Sequence, residues 1–368
     1  MERALAKSRD RQEGREPKRR RIRLMIVDDS MVARAVLSRM VEADAAFEIA
    51  AVAGTAEDAI DALRSVQVDI VLLDLEMPGA GGLQMIPKIL EAADGAKVMI
   101  VSSLADEGAA QTVAALALGA ADAMPKPGTG RFNGRFAEVL LSRLKALGFA
   151  DDQPPLREPI RLQGFGPLRA MSPNPIGVLA VGASTGGIHA IAALFQALPP
   201  KIGVPILVTQ HLPPPFMPVF ARQLGIAARR EALVAEDGMK LLPDRIIIAP
   251  GDAHLTIESS DRGHFVRLVR ERAPSGCLPS VDPMFASSGA EFGESAVAVI
   301  LTGMGRDGVE GASKLVARGG SVLAQDEASC AVWGMPRAVI EAGLACAVMS
   351  PEKMGRRIAS RVGDAPCK

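Results

Sequence analysis

Short apolar runs alternate with helical patterns from about residue 22 to residue 147. The runs predict buried strands at 22–27, 68–73, 97–101 and 122–124. Apolar residues recurring every three or four positions predict a helix after the first run, at Val32, Val36, Leu37, Met40 and Val41. Thr55 with Asp58 predicts the N-terminal cap of another helix. Repeated strand–helix units predict a doubly wound parallel sheet, and thus a flavodoxin-like α/β domain.

A second alternating pattern occupies residues 176–364 and predicts a second doubly wound α/β domain. Its buried strands include 205–209, 245–249 and 296–301. An apolar run at 177–181 leads into GASTGG at 182–187. A helical stripe follows, with apolar residues at Ile188, Ile191, Ala192, Phe195 and Leu198. A serine is therefore expected on a tight turn between a strand and a helix.

Two other segments lack both patterns. Residues 148–175 carry Pro154, Pro155, Pro159, Pro167, Pro173 and Pro175, which predicts a semi-stiff linker. Residues 1–21 hold nine Lys or Arg against four Asp or Glu, a net charge of +5, and predict a disordered basic tail. The expected order is thus tail, domain at 22–147, linker, and domain at 176–364.

The composition narrows the classes of function. The 368 residues are 48% hydrophobic with a net charge of zero, which favours a soluble globular protein over a nucleic-acid binder. The 3% of aromatic residues argues further against base stacking. No apolar run approaches the roughly 18 residues that span a bilayer, and no leader sequence is apparent. We therefore expect a cytoplasmic protein without membrane insertion, whose four cysteines are reduced, unpaired thiols.

Polar residues follow successive strands of the first domain. They are Asp28, Asp29, Asp74, Ser102 and Lys126. The carboxyl ends of parallel strands share one edge, so these side chains should meet. Three carboxylates there would repel one another without a cation, and Mg²⁺ prefers oxygen ligands. The set is suited to phosphoryl transfer onto a carboxylate.

Ser184 within GASTGG has two functional interpretations. A serine on a glycine-flanked turn can be a nucleophile. The same turn can hold a phosphate, or its serine can simply cap the helix. A nucleophile needs a base, and His211 is the best placed histidine because it ends the strand near 206–210. Asp307, within LTGMGRDG at 301–308, follows another strand and can orient that base.

Four motifs of the first domain resemble the receiver domain of two-component response regulators. They are IVDDS at 26–30, LLDLEMPGAGG at 72–82, VSSL at 101–104 and PKP at 125–127. The resemblance implies that Asp74 accepts phosphate from a histidine kinase, with Mg²⁺ held by Asp28, Asp29 and Asp74. Ser102 and Lys126 would then read the phosphoryl group. One departure is Ala123, which stands where receivers usually carry an aromatic switch residue.

The second domain resembles the chemotaxis protein-glutamate methylesterases of the CheB family. The matching motifs are GASTGG, QHLP at 210–213, IAPGDAHL at 248–255, SVDPMF at 280–285, LTGMGRDG and WGMP at 333–336. The resemblance implies that Ser184 is the nucleophile, His211 its base and Asp307 the partner of that base. It further implies that Thr185 supports the histidine and that backbone near Met304 binds an oxyanion.

The implied function is phosphorylation-activated hydrolysis of glutamate γ-methyl esters on methyl-accepting chemotaxis receptors, with deamidation of receptor glutamines. No cofactor is implied for the ester reaction. Two alternatives stay open on sequence. The enzyme could serve a signalling pathway outside chemotaxis, or the chain could be a phosphorylation-dependent binding module with a silent hydrolase site.

Overall fold

The chain forms two parallel α/β sheets with apolar clusters on both faces of each. The computed structural model describes residues 20–78, 82–102, 106–126, 134–149 and 167–362. The predicted fold class is therefore confirmed. The predicted tail, apart from its last residues, and the middle of the predicted linker lie outside the described residues.

The first sheet has five strands in the order β2-β1-β3-β4-β5, all parallel. Its elements are β1 Ile22–Val27, α1 Met31–Glu42, β2 Phe47–Ala53, α2 Ala56–Leu63, β3 Ile70–Leu73, α3 Gly82–Ala92, β4 Lys97–Ser102, α4 Asp106–Ala117, β5 Asp122–Pro125 and α5 Gly134–Gly148. Strand β2 was not predicted; it is an edge strand of mostly partly exposed residues, although Glu48 is its one polar residue. The predicted cap is confirmed, since Thr55 Oγ1 accepts from Asp58 N–H at 3.1 Å.

The second sheet has seven parallel strands in the order β14-β13-β12-β6-β7-β9-β8. Its elements begin with β6 Val178–Ala183, α6 Gly187–Gln196, β7 Ile206–Gln210, α7 Met217–Ala228, β8 Ala232–Val234 and β9 Ile246–Ile248. A hairpin follows, formed by β10 His254–Ser260 and β11 Gly263–Val269. The remaining elements are α8 Val281–Phe292, β12 Ala296–Ile300, α9 Val309–Ala317, β13 Ser321–Gln325, α10 Met335–Glu341, β14 Ala347–Met349 and α11 Pro351–Ala359.

Burial explains why the central strands are apolar almost without interruption. Every residue of β6, β7 and β12 is buried, because helices or the hairpin cover both faces of the parallel sheet. Such strands carry no alternation of polar and apolar residues. Their ends are thus the places where polar side chains can appear.

The two sheets are in contact through α4 of the first. This helix packs against α6, α7 and the 3₁₀ turn Pro214–Phe216, and their buried apolar residues belong to one cluster. The last residues of the predicted linker run along the second sheet, where Ser172 N–H donates to Ser321 Oγ at 2.9 Å. No helix among those described is both long and apolar enough to cross a membrane.

Candidate active site

Three neighbouring strands of the second sheet carry the predicted catalytic residues at their carboxyl ends. Ser184 follows β6, His211 follows β7, and Asp307 lies between β12 and α9. Strand β6 lies between β7 and β12, and the chain order reverses direction around it. Ligands of open parallel sheets bind at such a reversal, beyond the carboxyl ends of the strands. The topology therefore brings the three residues to one edge.

Backbone hydrogen bonds hold the turn that carries Ser184. Ser184 N–H donates to the carbonyl of Thr302 at 3.0 Å, which ties the turn to the loop after β12. The Ser184 carbonyl accepts from Gly187 N–H and from the Gln210 side-chain amide, both at 2.8 Å. Gly186 has a φ of 76°, a left-handed conformation that favours glycine. The second glycine of the motif is thus needed for the geometry of the turn.

His211 and Asp307 form a direct pair. His211 Nε2 lies 2.8 Å from Asp307 Oδ2, and Asp307 is almost completely buried. Burial tends to raise the pKa of Asp307. Hydrogen bonds from His211, from Ser280 Oγ and from Val281 N–H outweigh that effect, so the pKa lies well below its usual value. Asp307 is therefore a carboxylate, and the Nε2–H group of His211 donates to it.

A further chain of hydrogen bonds orients Asp307. Ser280 Oγ donates to Asp307 Oδ1 at 2.6 Å, and Ser280 N–H donates to His254 Nδ1 at 2.9 Å. His254 Nε2 lies 2.8 Å from the Glu271 carbonyl and must donate to it. Since Nδ1 accepts and Nε2 donates, His254 is held as one neutral tautomer. No role was predicted for His254 from the sequence.

Asp282 is a second acid beside Asp307. Asp282 Oδ1 accepts from Gly311 N–H at 2.8 Å, in the first turn of α9. Burial, with the negative charge of Asp307 as a further cause, raises the pKa of Asp282 to about 6. The two neighbouring carboxyl groups thus have pKa values displaced in opposite directions.

The backbone after β12 comes very close to Ser184. A Cβ atom at Gly303 would lie 2.7 Å from Ser184 Cβ and 3.2 Å from its backbone nitrogen. Only glycine permits this approach. The next residue, Met304, is the expected oxyanion donor, and its side chain is partly exposed. Because Gly303 approaches Ser184 so closely, the backbone of Met304 belongs to a segment that borders the serine.

Cys277 lies near the same pair. A His211 ring nitrogen, the Cys277 sulfur and an Asp307 carboxylate oxygen are all within 4.8 Å of one another. Cys277 N–H donates to Ser275 Oγ at 3.3 Å, and Ser275 Oγ in turn contacts Ser280 Oγ at 3.2 Å. Burial, together with the charge of Asp307, raises the pKa of the Cys277 thiol to about 11.

The first sheet contacts the serine turn directly. Thr185 Oγ1 donates to Asp122 Oδ2 at 3.0 Å, and Gly186 N–H donates to the Ala121 carbonyl at 2.7 Å. Thr185 was expected to support His211, and its hydroxyl has an acceptor on the first sheet. The reason is that β5 lies against the turn and presents a carboxylate there.

A small cavity lies beside Ser184 at this contact. Ser184, Asp122 and Gln210 help to line a cavity of about 10 Å³, which is room for about one water molecule. Leu116 and Ala120 from the first sheet close its other side. A cavity of this size is too small to hold a side chain of a protein substrate.

The predicted acidic residues of the first sheet also meet. Carboxylate oxygens of Asp28, Asp29 and Asp74 lie within 4.8 Å of one another. Lys126 Nζ lies 2.8 Å from Asp28 Oδ2 and 2.7 Å from Asp74 Oδ2. The three carboxylates fit Mg²⁺, because they supply the oxygen ligands that this ion takes in proteins.

Burial and charge act in opposition on this cluster. Burial raises the pKa of Asp74 above its usual value, although Lys126 acts to lower it. Burial alone would lower the pKa of Lys126, but hydrogen bonds to Asp28 and Asp74 raise it overall. The Ser102 hydroxyl is buried and has no hydrogen-bond partner among the described residues. It is thus a polar group available to a ligand at Asp74.

Together the two sheets define a two-domain α/β protein, with a cluster of acidic residues at one sheet and a set of Ser, His and Asp residues at the strand ends of the other. The family model "CheB methylesterase" matches residues 179–358, and the model "Response regulator receiver domain" matches residues 24–131. The chain belongs to the CheB methylesterase family and combines its receiver and methylesterase domains.

Several known proteins are similar over nearly the whole chain. "Protein-glutamate methylesterase/protein-glutamine glutaminase 1" of Paramagnetospirillum magneticum is 38% identical, over 89% of this chain and 93% of the relative. A protein of the same name, numbered 2, from Caulobacter vibrioides is 38% identical, over 92% of this chain and 99% of the relative. The crystal structure of the Thermotoga maritima CheB methylesterase catalytic domain is 34% identical, covering 51% of this chain and 99% of that one, with a TM-score of 0.49.

Besides His254 and Cys277, no role was predicted for Ser280, Asp282 and Asp122, which have evident contacts at the site. Ser280 and Asp282 stand in SVDPMF, so the motif itself was the available signal. Asp122 begins a short strand, and nothing in the sequence connects it with a residue 63 positions later. Contacts over such distances depend on how the two sheets meet.

Proposed function

We propose that the chain is a phosphorylation-activated hydrolase that removes methyl groups from glutamate γ-methyl esters of chemoreceptors and deamidates receptor glutamines. The observation that carries the proposal is the 2.8 Å contact between His211 and Asp307, beside the strand end that carries Ser184. The names of the relatives supply the substrate class. Membership of the CheB family connects that class with chemotaxis.

The ester reaction follows from the roles of three side chains. Ser184 Oγ attacks the ester carbonyl while His211 takes the serine proton. Because Nε2 faces Asp307, Nδ1 is the nitrogen that can accept this proton. The buried Asp307 carboxylate then stabilises the imidazolium, and His211 returns the proton to the departing methanol.

The remaining steps use the backbone and a water molecule. Backbone N–H groups in the segment of Gly303 and Met304 stabilise the oxyanion, and Gly303 allows their approach to Ser184. Water then cleaves the acyl-enzyme with His211 as base, which leaves a glutamate carboxylate. The same attack on a glutamine amide releases ammonia. None of these steps uses a metal or an organic cofactor.

The receiver supplies control in this proposal. Asp74 accepts a phosphoryl group from a histidine kinase, and Lys126 and Ser102 contact the phosphoryl oxygens. Asp28, Asp29 and Asp74 would hold Mg²⁺, which neutralises negative charge during the transfer. The buried, unpartnered Ser102 hydroxyl supports this assignment.

Control acts on access to Ser184. The contact of Thr185 with Asp122 and the small cavity support a closed state in the unphosphorylated protein. Phosphorylation adds about 1.5–2 negative charges at Asp74. The open state dominates only if the phosphorylated receiver binds the second domain less tightly than the unphosphorylated receiver does.

We place the receiver at 22–147, the linker at 148–175 and the esterase domain at 176–364. The reduced thiols fit the cytoplasm, where we place the enzyme.

Methanol release from methylated receptor tests the proposal. Ser184→Ala should lower the rate by about 10⁴-fold or more, while Ser259→Ala, an exposed hairpin serine, should not change it. Equal rates for wild type and Ser184→Ala would exclude the serine mechanism.

A small phosphodonor with Mg²⁺ tests the control. The donor should stimulate wild type, and Asp74→Asn should abolish the stimulation. A wild-type rate that does not respond to the donor would contradict the regulatory part and leave the ester chemistry standing.

A further inference from the structure

The neighbourhood of His211 contains three different metal-binding side chains. Imidazole, thiol and carboxylate ligand atoms of His211, Cys277 and Asp307 lie within 4.8 Å of one another. We propose that these residues form a site for a thiophilic divalent ion such as Zn²⁺, and that occupancy reversibly inhibits the hydrolase by capturing its general base.

The distances suit a tetrahedral ion. Zn²⁺ bonds to sulfur, nitrogen and oxygen at about 2.0–2.3 Å, which separates neighbouring ligand atoms by about 3.4–3.6 Å. The 2.8 Å contact of His211 with Asp307 has to lengthen slightly, and the thiol has to rotate inward. Three protein ligands leave the fourth position for water.

The surroundings of Asp307 favour coordination. Ser280 Oγ and Val281 N–H hold the carboxylate at 2.6 and 2.7 Å, so its orientation does not depend on His211. Such outer contacts orient metal ligands and strengthen metal sites. The segment of Cys277 is anchored in turn to Ser280 through Ser275.

Charge balance also favours a dication. Asp307 is ionised and Asp282 adds a second acid beside it. Binding forms a zinc–sulfur bond, breaks the S–H bond of Cys277 and releases that proton to solvent. Asp307 and the thiolate then neutralise the two charges of the ion. His211 binds through Nε2 as neutral imidazole, the proton of Nε2 is transferred to Nδ1, and no oxidation or reduction takes place.

The described residues thus offer two candidate cation sites with different preferences. The receiver site consists of Asp28, Asp29 and Asp74 and suits Mg²⁺, because all its ligands are oxygens. The site at His211 contains sulfur and nitrogen, which favour zinc over magnesium. Mg²⁺ should therefore activate phosphorylation without inhibiting the hydrolase, and Zn²⁺ should inhibit it.

The first test is metal binding by the full-length chain, with Co²⁺ as a spectroscopic substitute for Zn²⁺. Wild type should show thiolate-to-cobalt charge-transfer absorption that Zn²⁺ displaces. Cys277→Ser should lose this absorption and bind Zn²⁺ at least about tenfold more weakly. Cys330→Ser, another partly buried free thiol, is the matched control and should keep it. Charge-transfer absorption that persists in Cys277→Ser, or that is absent from wild type, would contradict the proposed metal site.

The second test measures inhibition of the hydrolase. Of the two tests, only this one rests on the function proposed above. Ester hydrolysis by wild type and Cys330→Ser should fall with Zn²⁺ and recover with a chelator. Cys277→Ser should keep its basal rate and need at least about tenfold more Zn²⁺. Equal sensitivity of Cys277→Ser and wild type would overturn the inhibition. Circular dichroism of each variant, with Cys277→Ala as a second substitution, separates these outcomes from misfolding.

Discussion

Thr185 Oγ1 donates a 3.0 Å hydrogen bond to Asp122 Oδ2, which joins the serine turn of one sheet to the last strand of the other. Arg143 Nη1 lies 3.2 Å from both oxygens of Asp122 and also donates to the Ala123 carbonyl at 2.9 Å. Asp122 therefore connects the turn beside Ser184 with α5 of the receiver. Ala123, at the position where receivers usually carry an aromatic switch, lies within this network.

Asp122→Ala should raise ester hydrolysis in the absence of a phosphodonor. Hydrogen bonds to charged groups contribute about 1.5–3 kcal/mol, so loss of the bond to Thr185 should raise the open population roughly 10- to 100-fold. Asp44→Ala is the control, because Asp44 pairs with Lys145 elsewhere on the receiver. A basal rate unchanged by Asp122→Ala would show that the contact does not restrain the enzyme.

Ser280→Ala should lower kcat with little change in KM. The substitution removes the hydrogen bond to Asp307 Oδ1, and bonds to charged groups contribute about 1.5–3 kcal/mol, or roughly 10- to 100-fold in rate. Ser288→Ala removes an equally buried hydroxyl that bonds only the Met284 carbonyl among described groups. Comparable losses in both variants would assign the effect to packing rather than to the orientation of Asp307.

Gly303→Ala should strongly reduce activity. The added methyl group would lie 2.4 Å from Met335 Sδ and 2.7 Å from Ser184 Cβ, so one of them must move. Overpacking of this kind costs about 1–3 kcal/mol, which thermal unfolding would measure. Gly134→Ala meets no atom within 4 Å and serves as the control. Normal activity in Gly303→Ala would contradict the close approach at the oxyanion segment.

Asp282→Asn should alter how stability depends on pH. The pKa of Asp282 is about 6 in the folded protein against 3.8 for an ordinary aspartate. The folded state therefore binds the proton more tightly, and wild type loses stability as the pH rises from about 4 to about 6. Asparagine keeps an acceptor for Gly311 N–H and cannot ionise.

The stability of Asp282→Asn relative to wild type should thus increase by about 1–2 kcal/mol between pH 4 and pH 7, after allowance for solvent screening. Denaturant unfolding at several pH values measures this difference. The pH dependence that Asp307 contributes to stability has the opposite sign. Its pKa is lowered on folding, so the stability that it contributes is lost as the pH falls. A relative stability of Asp282→Asn that does not change with pH would contradict the raised pKa.

The sequence by itself determined the two α/β sheets and the residues at their strand ends. Buried parallel strands are apolar throughout, so residues such as Asp74 and Ser184 are recognisable where the apolar runs stop. The helix after GASTGG and the cap at Thr55 were predicted because periodicity and capping are local properties. The edge strand β2 was missed although its residues are apolar except for Glu48, so an apolar run was the available signal there.

Only the tertiary structure decided which distant side chains meet. The contacts of Asp307 with Ser280 and of Ser280 with His254 depend on how loops from different strands pack, and so does the proximity of Cys277 to His211 and Asp307. The bond between Thr185 and Asp122 depends on how one sheet docks on the other. Sequence patterns record burial and local conformation. The partner of a polar group is set by packing across long separations, which leaves no periodic signal in the chain.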